Sequence, residues 1–559
     1  MIVKEKVGNV TINYDFYGGK ELYSDGDEIE GQLLEICKNK NIKKALLKGD
    51  KWPILYHLSD IRENLIEWYP FKQHETVLEI GSGCGALTGV LARKLGKVTC
   101  IELSKRRSLI NAYRNQEQDN VEIIVGNFSD IEIAEKYDYI TLIGVLEYSG
   151  YYIQGENPFL ELIKKVRGYL KEDGKIIIAI ENKMGIKYLN GAKEDHVLKS
   201  FVGIEDYRYI HGVRTFSKPE LCELFRLCGI EDYTFYYPVP DYKLPDTIYS
   251  DEILPRKGDI RTWGINYDNI RIGLYNEAIM ADQICNDMKF DYLSNSFLVV
   301  CNEKENAVFY AHYTKTRKEA YQTATRIYKD GDKIVVGKSY EREAVRTYDI
   351  FQTMVRQRHW LQKEFPTIEF LKPEMRDGIL VYDFAEGIPV DWYIAEKVHD
   401  ITGLLERINE IISKYVHPDN KYFTEFVVTE QYERTFGKAV VNTCEKSLAV
   451  TNMDMIWSNL ILQDGKVLCF DYEWIFDFPI PYEYVLYRSV EAFYIKYGMY
   501  FSRSIALDEF AKKVGIEEMN IPVYRDMQKS FYAYVHGDNQ EYQYLKRYIK
   551  PCGMIQLSI

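Results

Sequence analysis

The run Val77-Leu-Glu-Ile-Gly-Ser-Gly-Cys-Gly85 limits the folds open to this chain more than any other stretch. Val77, Leu78 and Ile80 read as a short buried strand, Gly81, Gly83 and Gly85 as a turn without side chains, and Ala86 to Leu95 as a helix ended by Gly96. Strand, glycine turn, helix is how a Rossmann-like sheet brings main chain close to a nucleoside ligand. A Cβ in the turn would hold that ligand away.

The pattern Gly81-x-Gly83-x-x-Ala86 also fits the dinucleotide fingerprint, so the turn alone leaves a dinucleotide open. Three further features favour S-adenosylmethionine. Glu79 is an acid inside the strand, where it can meet the ammonium of a bound amino acid; Glu102 follows the next strand and can accept both ribose hydroxyls; Phe128, with Asn127 beside it, can lie against adenine. A later strand, Tyr137 to Ile143, runs into Gly144-Val145-Leu146-Glu147-Tyr148. Residues 75 to 185 resemble class I S-adenosylmethionine-dependent methyltransferases. The resemblance implies a seven-stranded, mostly parallel α/β Rossmann-like sheet and S-adenosylmethionine as cofactor. It also implies Glu79, Gly81, Ser82, Gly83, Cys84, Gly85, Glu102, Leu103, Asn127, Phe128 and Gly144 as the cofactor site. Arg62, in a helical segment ahead of the sheet, is placed to meet the cofactor carboxylate, or merely covers the sheet. Glu147 is the catalytic candidate, to orient the cofactor or to take a proton from a hydroxyl.

At 559 residues the chain exceeds one core. We expect a helical cap over residues 1–75, the methyltransferase domain over 76–285, and an α+β domain over 286–559. The last sheet strands are expected near 231–237 and 271–276. A net charge of −13 argues against general nucleic-acid binding, which needs a basic field. No apolar run approaches a membrane span and the N-terminus lacks a signal-peptide core, so a cytoplasmic place is expected, with the inner membrane face open. The cysteines, ten in all, show no C-x-x-C pair and read as reduced thiols.

A second constellation lies at residues 452–471. Two short strands flank the turn Asp464-Gly465, so Asn459 enters and Asp471 leaves one hairpin and both can reach one magnesium ion. Asp454, on the loop before, can face a substrate hydroxyl. Lys338 ends a strand upstream, and Leu380 to Gly387 could receive adenine. This order resembles small-molecule kinases of the aminoglycoside phosphotransferase and choline kinase type, part of the protein-kinase-like fold. The resemblance implies ATP and magnesium as cofactors, with Asp454 catalytic, Lys338 on the ATP phosphates, and Asn459 and Asp471 as metal ligands. The chain departs from the pattern in carrying Asn452 where that family has His, in lacking a glycine-rich phosphate loop, and in showing no evident glutamate to pair with Lys338; Arg317 and Lys318 are candidates to neutralise phosphate.

The pairing of the two halves resembles bifunctional methyltransferase–kinases that terminate bacterial O-antigen polysaccharides, although their long C-terminal coiled coil is not seen. That resemblance implies a glycan or glycolipid acceptor that is phosphorylated and then methylated, with peripheral association with glycan-assembly proteins. Lys183, Lys187, Arg208, His211 and Arg214 are candidates to grip the anionic acceptor. A methyltransferase of a sugar or small-molecule hydroxyl, with a second domain that only binds acceptor or partner, is the alternative, and a vestigial assembly module is a third.

Overall fold

The computed structural model describes residues 4–19, 25–261, 265–267, 271–340, 344–438, 441, 446–537, 540–550 and 552–554. The chain forms two compact units, Met1–Tyr313 with Gln543–Ile559, and Thr314–Tyr542.

The first unit is built on one sheet. Its strands are β1 (Lys4–Val7), β2 (Val10–Phe16), β3 (Thr76–Ile80), β4 (Lys97–Glu102), β5 (Val121–Gly126), β6 (Tyr137–Ile143), β7 (Leu170–Glu181), β8 (Tyr233–Val239), β9 (Thr247–Ser250), β10 (Ser296–Cys301) and β11 (Val308–Tyr313). Their spatial order is β1-β2-β5-β4-β3-β6-β7-β10-β8-β9-β11. Strands β5, β4, β3, β6 and β7 are parallel to one another, and β10 runs antiparallel between β7 and β8. The central strands are continuous apolar runs because helices cover both faces; Val77, Leu78, Ile140 and Leu142 are fully buried. The helices Thr88–Lys94 and Lys105–Arg114 follow β3 and β4, and Ser104 caps the second by accepting the Arg107 N–H at 3.2 Å.

Several expectations are corrected here. The strand that closes the Rossmann-like sheet beside β7 is Ser296–Cys301, not 271–276. Residues Arg271–Gly273 pair instead with Cys552–Met554, in the chain's return to the first unit. The expected boundary at 285/286 therefore falls inside the first unit, because Ser296–Cys301 and Val308–Tyr313 belong to its sheet. Residues 1–75 are not wholly helical: β1 and β2 form a hairpin, and β2 lies parallel to β5.

In the second unit, Thr323–Asp330, Lys333–Tyr340, Ile379–Asp383 and Glu374–Arg376 form an antiparallel sheet in that order. Helix Val345–Glu364 follows the second of these strands. The rest is largely helical around an aromatic core that includes Phe436, Trp457, Tyr472, Tyr484 and Phe531. The expected hairpin is present as Leu460–Gln463 paired with Lys466–Cys469. No helix among the described residues is long and apolar enough to cross a membrane.

Candidate active site

The glycine turn after β3 opens onto a cavity of about 600 Å³, within the range that encloses a nucleoside-sized ligand. Gly81 and Gly83 have φ of 72° and 54°, a region that side chains resist. A Cβ on Gly83 would meet nothing within 4 Å, so its open side is cavity, whereas one on Gly81 would fall 2.5 Å from Val145 Cγ2. Gly85 is glycine for another reason: a Cβ there would lie 2.3 Å from Asn111 Oδ1, on the helix after β4.

Arg62, Gly81, Ser82, Gly83, Cys84, Glu102, Leu103, Asn127, Phe128, Gly144 and Glu147 all line this cavity. Glu102 ends β4 with both oxygens held by main chain, Oε2 accepting from Gly83 N at 2.8 Å and Oε1 from Ser104 N at 2.9 Å. Asn127 caps the turn that carries Phe128 by accepting the Ser129 N–H at 3.1 Å. Arg62 is 6% exposed and stacks 4.0 Å from the Tyr56 ring centre. Its Nε and Nη1 are buried with no hydrogen-bond partner among the described residues.

Two expected contacts are not on the cavity wall. Gly85 packs as described, and Glu79 turns its Oε2 to Thr88 Oγ1 at 2.6 Å and Cys100 Sγ at 3.3 Å. Burial pushes the Glu79 carboxyl up to about 7. Glu79 thus braces the helix behind the turn, and an ammonium contact is not what its geometry provides.

The far end of the cavity is acidic. Glu147, on the turn after β6, is fully buried, and neither carboxylate oxygen has a hydrogen-bond partner among the described residues. Burial, reinforced by Glu181, raises its pKa to about 8. Glu181 ends β7; despite burial, Lys243 at 2.8 Å and His196 hold it below the usual carboxylate range. His196 sits among three carboxylates, with Nε2 at 3.4 Å from Glu181, 3.8 Å from Glu194 and 3.9 Å from Glu147. Burial opposes its protonation, but Glu181 and the other carboxylates prevail and raise it to about 9. Asp195, Tyr148, Tyr242 and Lys243 complete this wall. Asp25, His57 and Arg107 line the cavity as well, His57 Nε2 lying 2.6 Å from Asp25 and Arg107 Nη2 2.8 Å from it.

The basic cluster expected to grip an anion is spent elsewhere. Lys187 pairs with Asp195 and Asp241, and Lys183 and Arg214 both pair with Asp206 and Glu220. Arg208 and His211 are exposed and are not among the residues of the cavity wall. Glu181, Asp195, Tyr242, Lys243, Asp25 and Arg107 were not singled out as site residues from sequence. Only the first stood near a flagged motif, at the end of the fifth parallel strand.

In the second unit Lys338 is buried and its Nζ lies 2.8 Å from Asp471 Oδ1 and 2.6 Å from Glu473 Oε1. Glu473 also meets Arg317 Nη1 at 2.6 Å; against burial, these two cations hold it well down. Glu473 therefore supplies the carboxylate partner of Lys338 that the sequence left unassigned; Glu341 and Glu343 lie outside the described residues. Arg317 is committed to Glu473, which corrects its reading as a phosphate-neutralising group. Asp454 Oδ2 accepts Trp474 N at 3.0 Å, and burial with the nearby Asp471 and Glu473 raises its pKa. Asn459 Nδ2 donates to the Asp454 carbonyl at 3.0 Å, and Asn452 accepts the Asp454 N–H at 2.9 Å. The structure thus brings Lys338, Asp471 and Glu473 together and holds Asp454 and Asn459 on one loop.

Residues 78–176 match the methyltransferase domain family. Ribosomal RNA small subunit methyltransferase A of Syntrophus aciditrophicus is 28% identical over 127 residues, 22% of this chain and 41% of that protein. Malonyl-acyl-carrier-protein O-methyltransferase of Priestia megaterium is 31% identical over 111 residues, 20% of this chain and 38% of that protein. Among solved structures, phosphoethanolamine N-methyltransferase 1 of Haemonchus contortus, in complex with phosphoethanolamine and S-adenosylhomocysteine, is 13% identical with a TM-score of 0.28, covering 49% of each chain. The chain spans less than half the length of each of these proteins. Residues 78–176, the stretch that matches the methyltransferase domain model, lie within the first unit's Rossmann-like sheet, and the cofactor of that class is S-adenosylmethionine.

Proposed function

We propose that the chain is an S-adenosylmethionine-dependent methyltransferase acting on a hydroxyl of an uncharged, polar acceptor, a sugar of a surface glycan or a small molecule. One observation carries the cofactor part. An open glycine turn, a ribose-ready carboxylate, an aromatic wall and a buried guanidinium without a partner face one cavity. Bound S-adenosylmethionine supplies a methyl group on a sulfonium. Glu102 is fixed by two main-chain N–H groups where ribose hydroxyls would donate, Phe128 offers a flat face for adenine, and Arg62 offers unpaired N–H groups to a carboxylate. Glu147 stands at the opposite end, where it draws the proton from the acceptor hydroxyl. The acidic lining there disfavours a phosphate oxygen as acceptor, and the net charge of −13 disfavours RNA, the substrate named for the ribosomal relatives.

A second activity has its own observation. Lys338 meets Asp471 and Glu473, Arg317 meets Glu473, and Asn459 meets the Asp454 carbonyl, an arrangement that supports a magnesium-nucleotide site. On this reading Lys338 would steady nucleotide phosphates, Asn459 and Asp471 would hold magnesium, and Asp454 would orient a substrate hydroxyl.

Calorimetry with S-adenosylhomocysteine and, separately, with magnesium-ATP tests both parts. Binding of both supports two activities, the nucleoside alone supports the methyltransferase, and neither overturns the proposal. Mass spectrometry of the surface polysaccharide with and without the protein then identifies the acceptor.

A further inference from the structure

Three side chains at the acidic end of the cavity leave inward atoms unsatisfied in a way that hydroxyl chemistry alone does not explain. Glu147 and Glu181 are fully buried, and the His196 side chain is 5% exposed. Both oxygens of Glu147 have no hydrogen-bond partner among the described residues, and Glu181 Oε2 and His196 Nε2 face only each other, as an ion pair at 3.4 Å. One ligand atom from each residue lies within 4.8 Å of the other two. Buried carboxylates without partners are rare and point to a missing ion or an unusual proton.

The outward atoms of His196 and Glu181, by contrast, are held. His196 Nδ1 lies 2.9 Å from Tyr148 OH. Glu181 Oε1 takes Lys243 Nζ at 2.8 Å and Tyr242 OH at 3.2 Å. Glu194 takes Tyr207 OH at 2.9 Å and the main-chain N–H of His196 at 2.8 Å, anchoring the segment that carries the imidazole. One atom aimed inward and its sibling fixed from behind is the arrangement that orients metal ligands. Ligands about 2.0–2.2 Å from one ion stand about 3–4.4 Å from each other, and His196 Nε2 lies 3.4 Å from Glu181 and 3.9 Å from Glu147.

We propose that Glu147, Glu181 and His196 bind one divalent first-row cation at the acceptor end of the cavity. Two carboxylate oxygens and one imidazole nitrogen suit manganese, iron, nickel or zinc. The inference deepens the methyltransferase reading and rests on it only for what the ion does, not for its binding. In the loaded protein Glu147 is a ligand. The acceptor hydroxyl coordinates the ion, its proton passes to water, and the oxygen takes the methyl group as the carbon–sulfur bond breaks. In the cation-free protein Glu147 receives that proton.

The test uses the full chain, stripped with chelator and dialysed against Mn²⁺ or Zn²⁺, with metal content by mass spectrometry and affinity by calorimetry. One equivalent is expected, weakened at least tenfold in both Glu147→Gln and His196→Ala, while S-adenosylhomocysteine binding persists in each variant. Persisting nucleoside binding shows that a variant is folded. Failure to bind either cation, or uptake indifferent to both substitutions, overturns the site and makes His196 a protonated counter-ion of its carboxylates. Cation uptake without nucleoside binding would instead sink the methyltransferase reading and leave the metal site standing.

Discussion

Replacing Arg62 by Met separates a ligand-binding arginine from a structural one. The side chain lies in the short 3-10 helix Asp60–Leu65, capped by Ser59, whose Oγ accepts the Ile61 N–H at 3.2 Å. Nothing among the described residues meets its Nε or Nη1, so the free protein carries most of the cost of burying this charge. Methionine keeps the volume against Tyr56 and gives up a cation–π contact of about 0.5–2 kcal/mol. The ligand-free variant is therefore expected to melt no lower than the parent. Affinity moves the other way. A hydrogen bond to a charged group contributes about 1.5–3 kcal/mol, so S-adenosylhomocysteine should bind about 10- to 150-fold more weakly. At a ligand concentration about 1,000 times the parental Kd, the parent gains about 4.1 kcal/mol, and a variant weakened about 100-fold gains about 1.4 kcal/mol. Calorimetry and thermal melts, each with and without ligand, read both quantities. Unchanged affinity, or a ligand-free variant that melts well below the parent, would refute the assignment of Arg62 to the cofactor.

Gly83→Ala should leave the fold intact apart from about 1–2 kcal/mol for a side chain at positive φ, yet reduce nucleoside binding sharply, since its methyl group would enter the cavity; circular dichroism with calorimetry distinguishes the two effects. Glu147 has a folded pKa of about 8 against an ordinary value of 4.5, so the folded state binds more protons over that window and its stability falls as pH rises through it. His196, raised to about 9 from 6.5, acts in the same sense, its stabilisation complete below 6.5 and lost as pH climbs through 9. Cation-free protein should thus melt lower at pH 9 than at pH 6, and Glu147→Gln should flatten that slope in a pH series of melts. Lys338→Met leaves Asp471 and Glu473 facing each other without their ammonium; a loss of about 3–5 kcal/mol and of magnesium-ATP binding is expected, while S-adenosylhomocysteine binding in the first unit is retained.

Sequence pattern is most informative where one residue type answers one local need. Val77 to Gly85 could be read because parallel strands are apolar runs and only glycine suits Gly83. Glu102 and Asn127 could be read because each closes a strand at the sheet's carboxyl edge. The closing strand was misplaced because Ser296–Cys301 is as apolar and β-branched as any strand of a new domain. Only its pairing with Ile176 to Glu181, more than a hundred residues back, assigns it to the first sheet. Glu79 was misread because an acid in a buried strand looks the same whether it faces a ligand or Thr88. The acceptor end was hidden more deeply. Lys187 and Lys243 look like free cations in sequence, and Asp195, Asp241 and Glu181, which neutralise them, come from separate segments. The partner of Lys338 escaped because it lies more than a hundred residues downstream, two residues beyond Asp471.

Charge at that acceptor end also bears on how two activities could share one substrate. If the second unit phosphorylates a sugar, the natural expectation is that the phosphate is then methylated. Glu147, once ionised above about pH 8, opposes this in the cation-free protein, because Lys187 and Lys243 are committed to Glu181, Asp195 and Asp241. One unscreened like charge at about 5 Å, in an effective dielectric of about 20, costs about 3 kcal/mol, or about 100-fold in rate or affinity. A divalent ion held by Glu147, Glu181 and His196 would reverse the sign of the potential there. Chelator-treated protein assayed above about pH 8 should therefore methylate a neutral sugar at least tenfold better than its phosphorylated form, and added Mn²⁺ should narrow or invert that ratio. The same sugar pair assayed in both states, with methyl transfer followed by mass, decides the matter. Equal transfer to both sugars without the ion would show that charge does not select the acceptor, and the uncharged acceptor proposed above would lose its physical basis.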